Sequence, residues 1–189
     1  MQCARQDTRA TLGRARPDLR YWGNTTKKAA IMADETIVLG AAIIRDYRIF
    51  VARRSQPPSM SGFWELPGDE VPAGADERGT LQDEFTKEFG VSLRCVDTII
   101  GDRRLTSWRT AEGESVDASL RIWRCQFPSE MTFDPDLGEP RASMYRYDDT
   151  QWVSVDDLDS VGPWRDEARI AAAEVADYYL ADVVWQSAD

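Results

Sequence analysis

The apolar and polar positions change period along the chain. Thr36 to Ile44 (TIVLGAAII) is a nearly continuous apolar run, short and rich in β-branched residues, and predicts a buried strand. Arg45-Asp46-Tyr47 predicts a turn, and Arg48 to Arg54 (RIFVARR) alternates as a second strand, so the two should form a hairpin. Ser55 to Gly62 reads as a loop and Phe63 to Leu66 as a short strand running into Pro67-Gly68. The period then lengthens. Leu81, Phe85 and Phe89 recur at i, i+4 and i+8, which predicts a helix over 75–89 with Gly90 as its C-terminal cap and Gly79 delaying its start. Further strands are expected at Val91 to Ile100, Arg104 to Thr110, Ala118 to Phe127 and Gln151 to Val155. The proline-containing, acidic stretch from Pro128 to Asp149 reads as a loop. Ala168 to Trp185 predicts a long terminal helix whose inward face carries Ile170, Ala171, Val175, Tyr178 and Val183.

Composition narrows the chemistry. The 189 residues suffice for one domain with a sizeable core. Acids outnumber bases 33 to 23, for a net charge of −10, the opposite of what a phosphate-backbone binder carries, so nucleic acid is not expected as a partner. There is no histidine, which excludes Ser-His-Asp and Cys-His nucleophiles and His-ligated zinc. Cys3, Cys95 and Cys125 are widely spaced and include no CxxC, so neither a zinc site nor a disulfide framework is expected, and a reducing cytoplasm is the expected location. No apolar run is long enough to span a bilayer, and no membrane partner is expected. The first 31 residues carry seven basic residues against Asp7 and Asp18, and lack apolar periodicity. They are expected to be a disordered basic extension, with the domain over 32–189.

Chemistry concentrates in Gly62 to Val91 (GFWELPGDEVPAGADERGTLQDEFTKEFGV). Glu84 and Glu88, four apart, project from one face of the predicted helix, where like charges repel unless a cation lies between them. Oxygen-only ligands suit Mg²⁺ or Mn²⁺. An isolated Glu-x-x-x-Glu is more often a solvated surface face.

The context of this pair resembles the Nudix box, G-x5-E-x7-R-E-U-x-E-E-x-G-U with U apolar, the signature of the Nudix hydrolase superfamily. Aligned from Asp69 to Val91 without gaps, five of its nine fixed positions match: Glu84, Phe85, Glu88, Gly90 and Val91. Trp64-Glu65-Leu66-Pro67-Gly68 is similar to the strand and turn that precede the box. Val38 to Arg54 resembles the first hairpin of the MutT-like nucleoside triphosphate pyrophosphohydrolases, and Tyr147 to Leu158 with Gly162-Pro163-Trp164 their last strand and helix entry. The resemblance implies an α+β fold, an α/β/α sandwich in which a mixed sheet lies between the box helix and a C-terminal helix. It implies hydrolysis of a nucleoside triphosphate, with a leaning to pyrimidines, or of another diphosphate-linked small molecule. The implied roles are metal binding by Gly68 (through its carbonyl), Glu84 and Glu88, catalysis by Glu84 and Glu88, and substrate contact by Arg54, Trp164 and Asp166. Trp64, Trp108, Trp123 and Trp152 are further candidates for stacking on a base, and Glu167 for reading it. A monomer or homodimer is expected.

Four box positions depart from the pattern: Asp69, Ala75, Asp83 and Lys87. The residues replaced at Ala75 and Asp83 form an ion pair in the family, so their joint loss is one structural change, and Asp83 is free to pair with Lys87 at i+4. Lys87 stands where the family has a ligating carboxylate, and a charged lysine has no lone pair to offer. Asp69, beside the Gly68 carbonyl, is a candidate replacement ligand. Lys87 also favours an alternative, a Nudix-fold protein that binds a nucleotide, metabolite or protein without turning it over.

Overall fold

The computed structural model describes residues 35–110, 113–128 and 145–186. The expected basic extension, most of the expected loop after Pro128, the side chain of Val183 and Cys3 lie outside the described residues. The strands are β1 (Thr36–Arg45), β2 (Arg48–Arg54), β3 (Trp64–Glu65), β4 (Glu70–Pro72), β5 (Arg94–Arg109), β6 (Ser115–Gln126) and β7 (Tyr147–Ser154). The helices are α1 (Glu77–Phe89) and α2 (Asp166–Gln186), with a 3₁₀ turn at Leu158–Ser160. No helix among the described residues is long and apolar enough to cross a membrane.

β1 organises the sheet. It pairs in parallel with β6 and antiparallel with β4, and meets β2 only beside their shared turn, at Ile44 and Arg45. β2 then diverges to pair with β3 and β7, while β5 extends the other half of the sheet from β6. The sheet is therefore mixed. Alternation along β1 divides the core: Ile37, Leu39, Ala41 and Ile43 pack with Leu81, Phe85 and Phe89 of α1, and Val38 and Ala42 face Ala171, Ala172 and Val175 of α2. The result is the α/β/α sandwich expected from the sequence.

Several boundaries differ for local reasons. The helix α1 starts before Gly79, because the Asp76 side chain caps it by accepting from the Gly79 N–H at 3.1 Å. Gly90 ends it in the left-handed conformation (φ 68°), as expected. The two strands expected around Gly101 are one long strand, which passes through Gly101 and Asp102 by β-bulges. β7 begins at Tyr147, inside the expected loop, and β4 was not expected at all. On α2, Ala171 and Val175 are buried, but Ile170 (54% exposed) and Tyr178 (47%) face outward, correcting their expected place. The residues of α2 that bury well are mostly small, so the helix lies close to the sheet and offers only a narrow buried stripe. Cys95 and Cys125 are free thiols on paired strands, their sulfurs 3.4 Å apart.

Phe85 is the centre of the α1 side, fully buried and in contact with Phe50, Phe89 and Phe127. Phe85→Ala should lower the free energy of unfolding by about 3–5 kcal/mol, read from urea denaturation; a loss below about 1 kcal/mol would contradict this packing.

Candidate functional site

The turn before α1 is held against β1 by its backbone. The N–H groups of Ala41 and Leu39 donate to the carbonyls of Pro67 and Asp69, each at 2.8 Å. Between them Gly68 approaches β1 so closely that an added Cβ would stand 1.8 Å from the Leu39 carbonyl oxygen, so no other residue fits. On the other side Tyr147, fully buried and stacked on Phe89 at 5.3 Å, accepts from the Gly68 N–H at 3.2 Å. Its hydroxyl donates to Glu65 at 3.1 Å, and Glu65 also receives Arg54 Nε at 2.6 Å. Gly68, Tyr147, Glu65 and Arg54 thus form one linked group.

α1 brings Glu84 and Glu88 beside this group. Both are buried, Glu88 completely (0% exposed), as the sheet-facing positions of the helix. Arg146, just before β7, connects them to the turn. Its Nη1 donates to Asp69 Oδ1 at 2.8 Å and to Glu84 Oε1 at 2.7 Å, and its backbone N–H donates to Glu88 Oε2 at 3.1 Å. Of the residues singled out in the sequence, Gly68, Asp69, Glu84, Glu88 and Arg54 therefore converge. Arg146, Tyr147 and Glu65 were missed as members of the site. Glu65 and Tyr147 sit within quoted strand segments, but Arg146 lies 62 and 77 positions from its partners and belongs to no motif.

Lys87 is not at the centre. Its side chain is 59% exposed, its Nζ is 3.9 Å from Glu88 Oε1, and it lies over the Tyr145 ring at 4.9 Å. The expected Asp83–Lys87 pair is not formed among the described residues. The start of α1, without the family's ion pair, is held instead by Glu77, which receives Arg121 and, at 2.9 Å, Trp123 Nε1.

An apolar cleft continues from the carboxylates. Arg54, Gly68, Asp69 and Glu70 lie along it together with Leu66, Leu105, Leu120 and Ile122. Trp108 closes one wall, with the Arg165 guanidinium 4.1 Å from its ring centroid, and Glu167 is opposite in α2. Trp164 and Asp166 line a neighbouring depression with Met60 and Phe63, which Arg165 and Glu167 also border. The Trp164 indole N–H is already taken by the Leu158 and Val161 carbonyls at 3.0 and 3.1 Å. Trp64 is in the core and Trp152 in the Phe50 cluster.

The oxygen donors of Gly68, Asp69, Glu84 and Glu88 suit a hard divalent ion in kind. In the arrangement shown, no group of three acids among the described residues is placed to hold a metal, and the position between Asp69 and Glu84 belongs to Arg146. Burial pushes the Glu84 carboxyl up to about 7; Arg146 opposes the rise and the neighbouring Asp69 and Glu88 carboxylates add to it. Burial likewise raises Glu70.

No family model matches the chain. It is 34% identical over 129 residues, 66% of its own length and 77% of the relative's, to a Mycobacterium tuberculosis protein provisionally named 8-oxo-dGTP diphosphatase 2. Among solved structures it resembles a MutT NUDIX hydrolase from Burkholderia pseudomallei, with a TM-score of 0.54 and 27% identity, covering 75% of this chain and 98% of that one. A MutT protein from Methanosarcina mazei Go1 shares the fold at a TM-score of 0.56 and 16% identity, over 77% of this chain and 94% of its own.

The raised Glu84 value sets a pH dependence. Unfolded, this carboxyl loses its proton near the ordinary value, so from there up to about 7 the folded chain holds the extra proton. The stabilisation is complete below the unfolded pKa and is lost as pH rises through about 7. The melting temperature should therefore fall between the ordinary value, 4.5, and about 7 and level off above that, and Glu84→Gln should flatten that slope. An equal slope in the variant would assign the titration to another group.

Proposed function

Because this chain belongs to the MutT-like Nudix hydrolases, we propose that it splits a nucleoside triphosphate, or a related nucleoside diphosphate-linked compound, between two phosphates. The observation that carries this reading is continuity: the carboxylates at the Gly68 turn and the apolar cleft share the walls made by Arg54, Gly68 and Asp69. The apolar part, lined by Leu66, Leu105, Leu120 and Ile122 with Trp108 at one wall, is the side that would take the base. Glu70 and Glu167 offer acceptors to its N–H groups. The phosphates would then reach Arg54 and the carboxylates. The substrate in the M. tuberculosis relative's name is a purine nucleoside triphosphate, which supports that class here.

Nudix hydrolases generally use divalent metals, and Mg²⁺ or Mn²⁺ is the reading for this chain. Gly68 (through its carbonyl), Asp69, Glu84 and Glu88 would hold the ion, which would neutralise phosphate charge. Glu84, beside the ion, would hold it or orient the attacking water. Glu88, fixed by the Arg146 N–H, orients the groups beside it. Arg54, held by Glu65 and lying 5.1 Å over the Tyr147 ring, would supply a fixed positive charge for a phosphate oxygen.

The test is pyrophosphate or phosphate release from a panel of purine, oxidised purine and pyrimidine nucleoside triphosphates, with Mg²⁺ or Mn²⁺. Glu88→Gln, which keeps the side-chain shape, should lower kcat/KM by about a hundredfold or more. Unchanged turnover in that variant would remove Glu88 from the mechanism. Nucleotide binding without release under any metal would overturn the hydrolase reading in favour of a binding protein, the alternative that Lys87 favours.

A further inference from the structure

Arg146 has a fixed backbone and a side chain in an unusual place. Its N–H donates to Glu88, and its carbonyl accepts from the N–H groups of Ser55 at 2.7 Å and Gln56 at 3.3 Å. One guanidinium nitrogen, Nη1, holds Asp69 from the Gly68 turn and Glu84 from α1 at the same time, at 2.8 and 2.7 Å. A single donor joining carboxylates of two separate elements does what a bound cation does, with a monovalent group. The side chain retains 25% exposure, so it has a solvent-facing side to move towards without disturbing the pinned backbone.

We propose that Arg146 is a built-in competitor for the divalent ion: it occupies the position between Asp69 and Glu84, and metal enters only by displacing its guanidinium. The two cannot sit together at contact distance from Asp69 Oδ1 and Glu84 Oε1, because a second cation there would be repelled by the first. Lys87 adds positive charge at the rim, but it is mostly exposed and touches neither Asp69 nor Glu84. The chain would thus bind bare metal weakly for a reason that lies outside its box. The apparent affinity of such a site falls by the fraction of molecules in which Arg146 has left it. The proposal rests on the metal-dependent reading above only for the identity of the competitor.

Its test is binding, not turnover. Mn²⁺ titrations followed by electron paramagnetic resonance, at a pH above the Glu84 value and without nucleotide, should give Arg146→Gln an affinity about tenfold or more tighter than wild type. Arg146→Lys, which keeps the charge without the fork, should lie between them. In the chelator-treated state Arg146→Gln should melt lower than wild type, because two carboxylates, Asp69 and Glu84, lose their shared donor, and Mg²⁺ should restore more of its stability. In the unmutated protein, Mg²⁺ should shift the Arg146 Nε–H resonance with the same midpoint as metal binding, a measurement that needs no variant. Equal Mn²⁺ affinity in wild type and Arg146→Gln, or Mg²⁺ saturation that leaves this resonance in place, overturns the proposal whatever the hydrolysis assay gives. Tighter binding by Arg146→Gln together with an absence of hydrolysis would keep this proposal and strike the enzymatic one.

Discussion

The close approach of the Pro67–Gly68–Asp69 backbone to β1 is the constraint on which the site depends. Two N–H groups of β1 take the carbonyls on either side of Gly68, and the absent Cβ lets the chains meet. This contact fixes the Gly68 carbonyl and the Asp69 carboxylate on the sheet, while Leu81, Phe85 and Phe89 seat α1 against the same strand. Glu84 and Glu88 cannot then be moved relative to Gly68 without repacking the core. A side chain at position 68 would disturb the sheet, the helix and the acids together.

Charge balance is the second determinant. Glu65, Asp69, Glu84 and Glu88 surround Arg54 and Arg146, so four carboxylates answer two guanidiniums in a largely buried space. Burial, with the neighbouring acids adding to it, explains why the Glu84 carboxyl is pushed up to about 7 despite its arginine partner. A site with surplus negative charge attracts cations. The one already present comes from the chain itself, tied to the start of β7.

Departures from the family pattern take on different weights once the residues are placed. Ala75 and Asp83 leave no gap in the support of α1, because Glu77, Arg121 and Trp123 hold its first turn. Asp69 does join the acids, through Arg146. Lys87, the most conspicuous departure in one dimension, stands at the edge in three. The electrostatic character of the centre is set by Arg146, which no box position describes.

What the sequence by itself determined was whatever depends on neighbours along the chain. Period alone marked the first hairpin and α1, Gly90 its end, and the Pro67-Gly68 turn with Glu84 and Glu88 the candidate centre. These follow from local stereochemistry, from side-chain spacing on a helix and from caps, all contained within a few residues. Tertiary structure decided the rest. It fused two expected strands across Gly101 because β6 supplies continuous pairing on one side. It turned Ile170 and Tyr178 outward because a helix packed through small residues buries only a narrow stripe. It put Trp108 on the wall of the cleft and Trp164 on the neighbouring depression, and it brought Arg146, just before β7, to Asp69 and Glu84. Long-range electrostatic partners leave no periodic trace, since any arginine on any strand can meet a carboxylate once the sheet has formed.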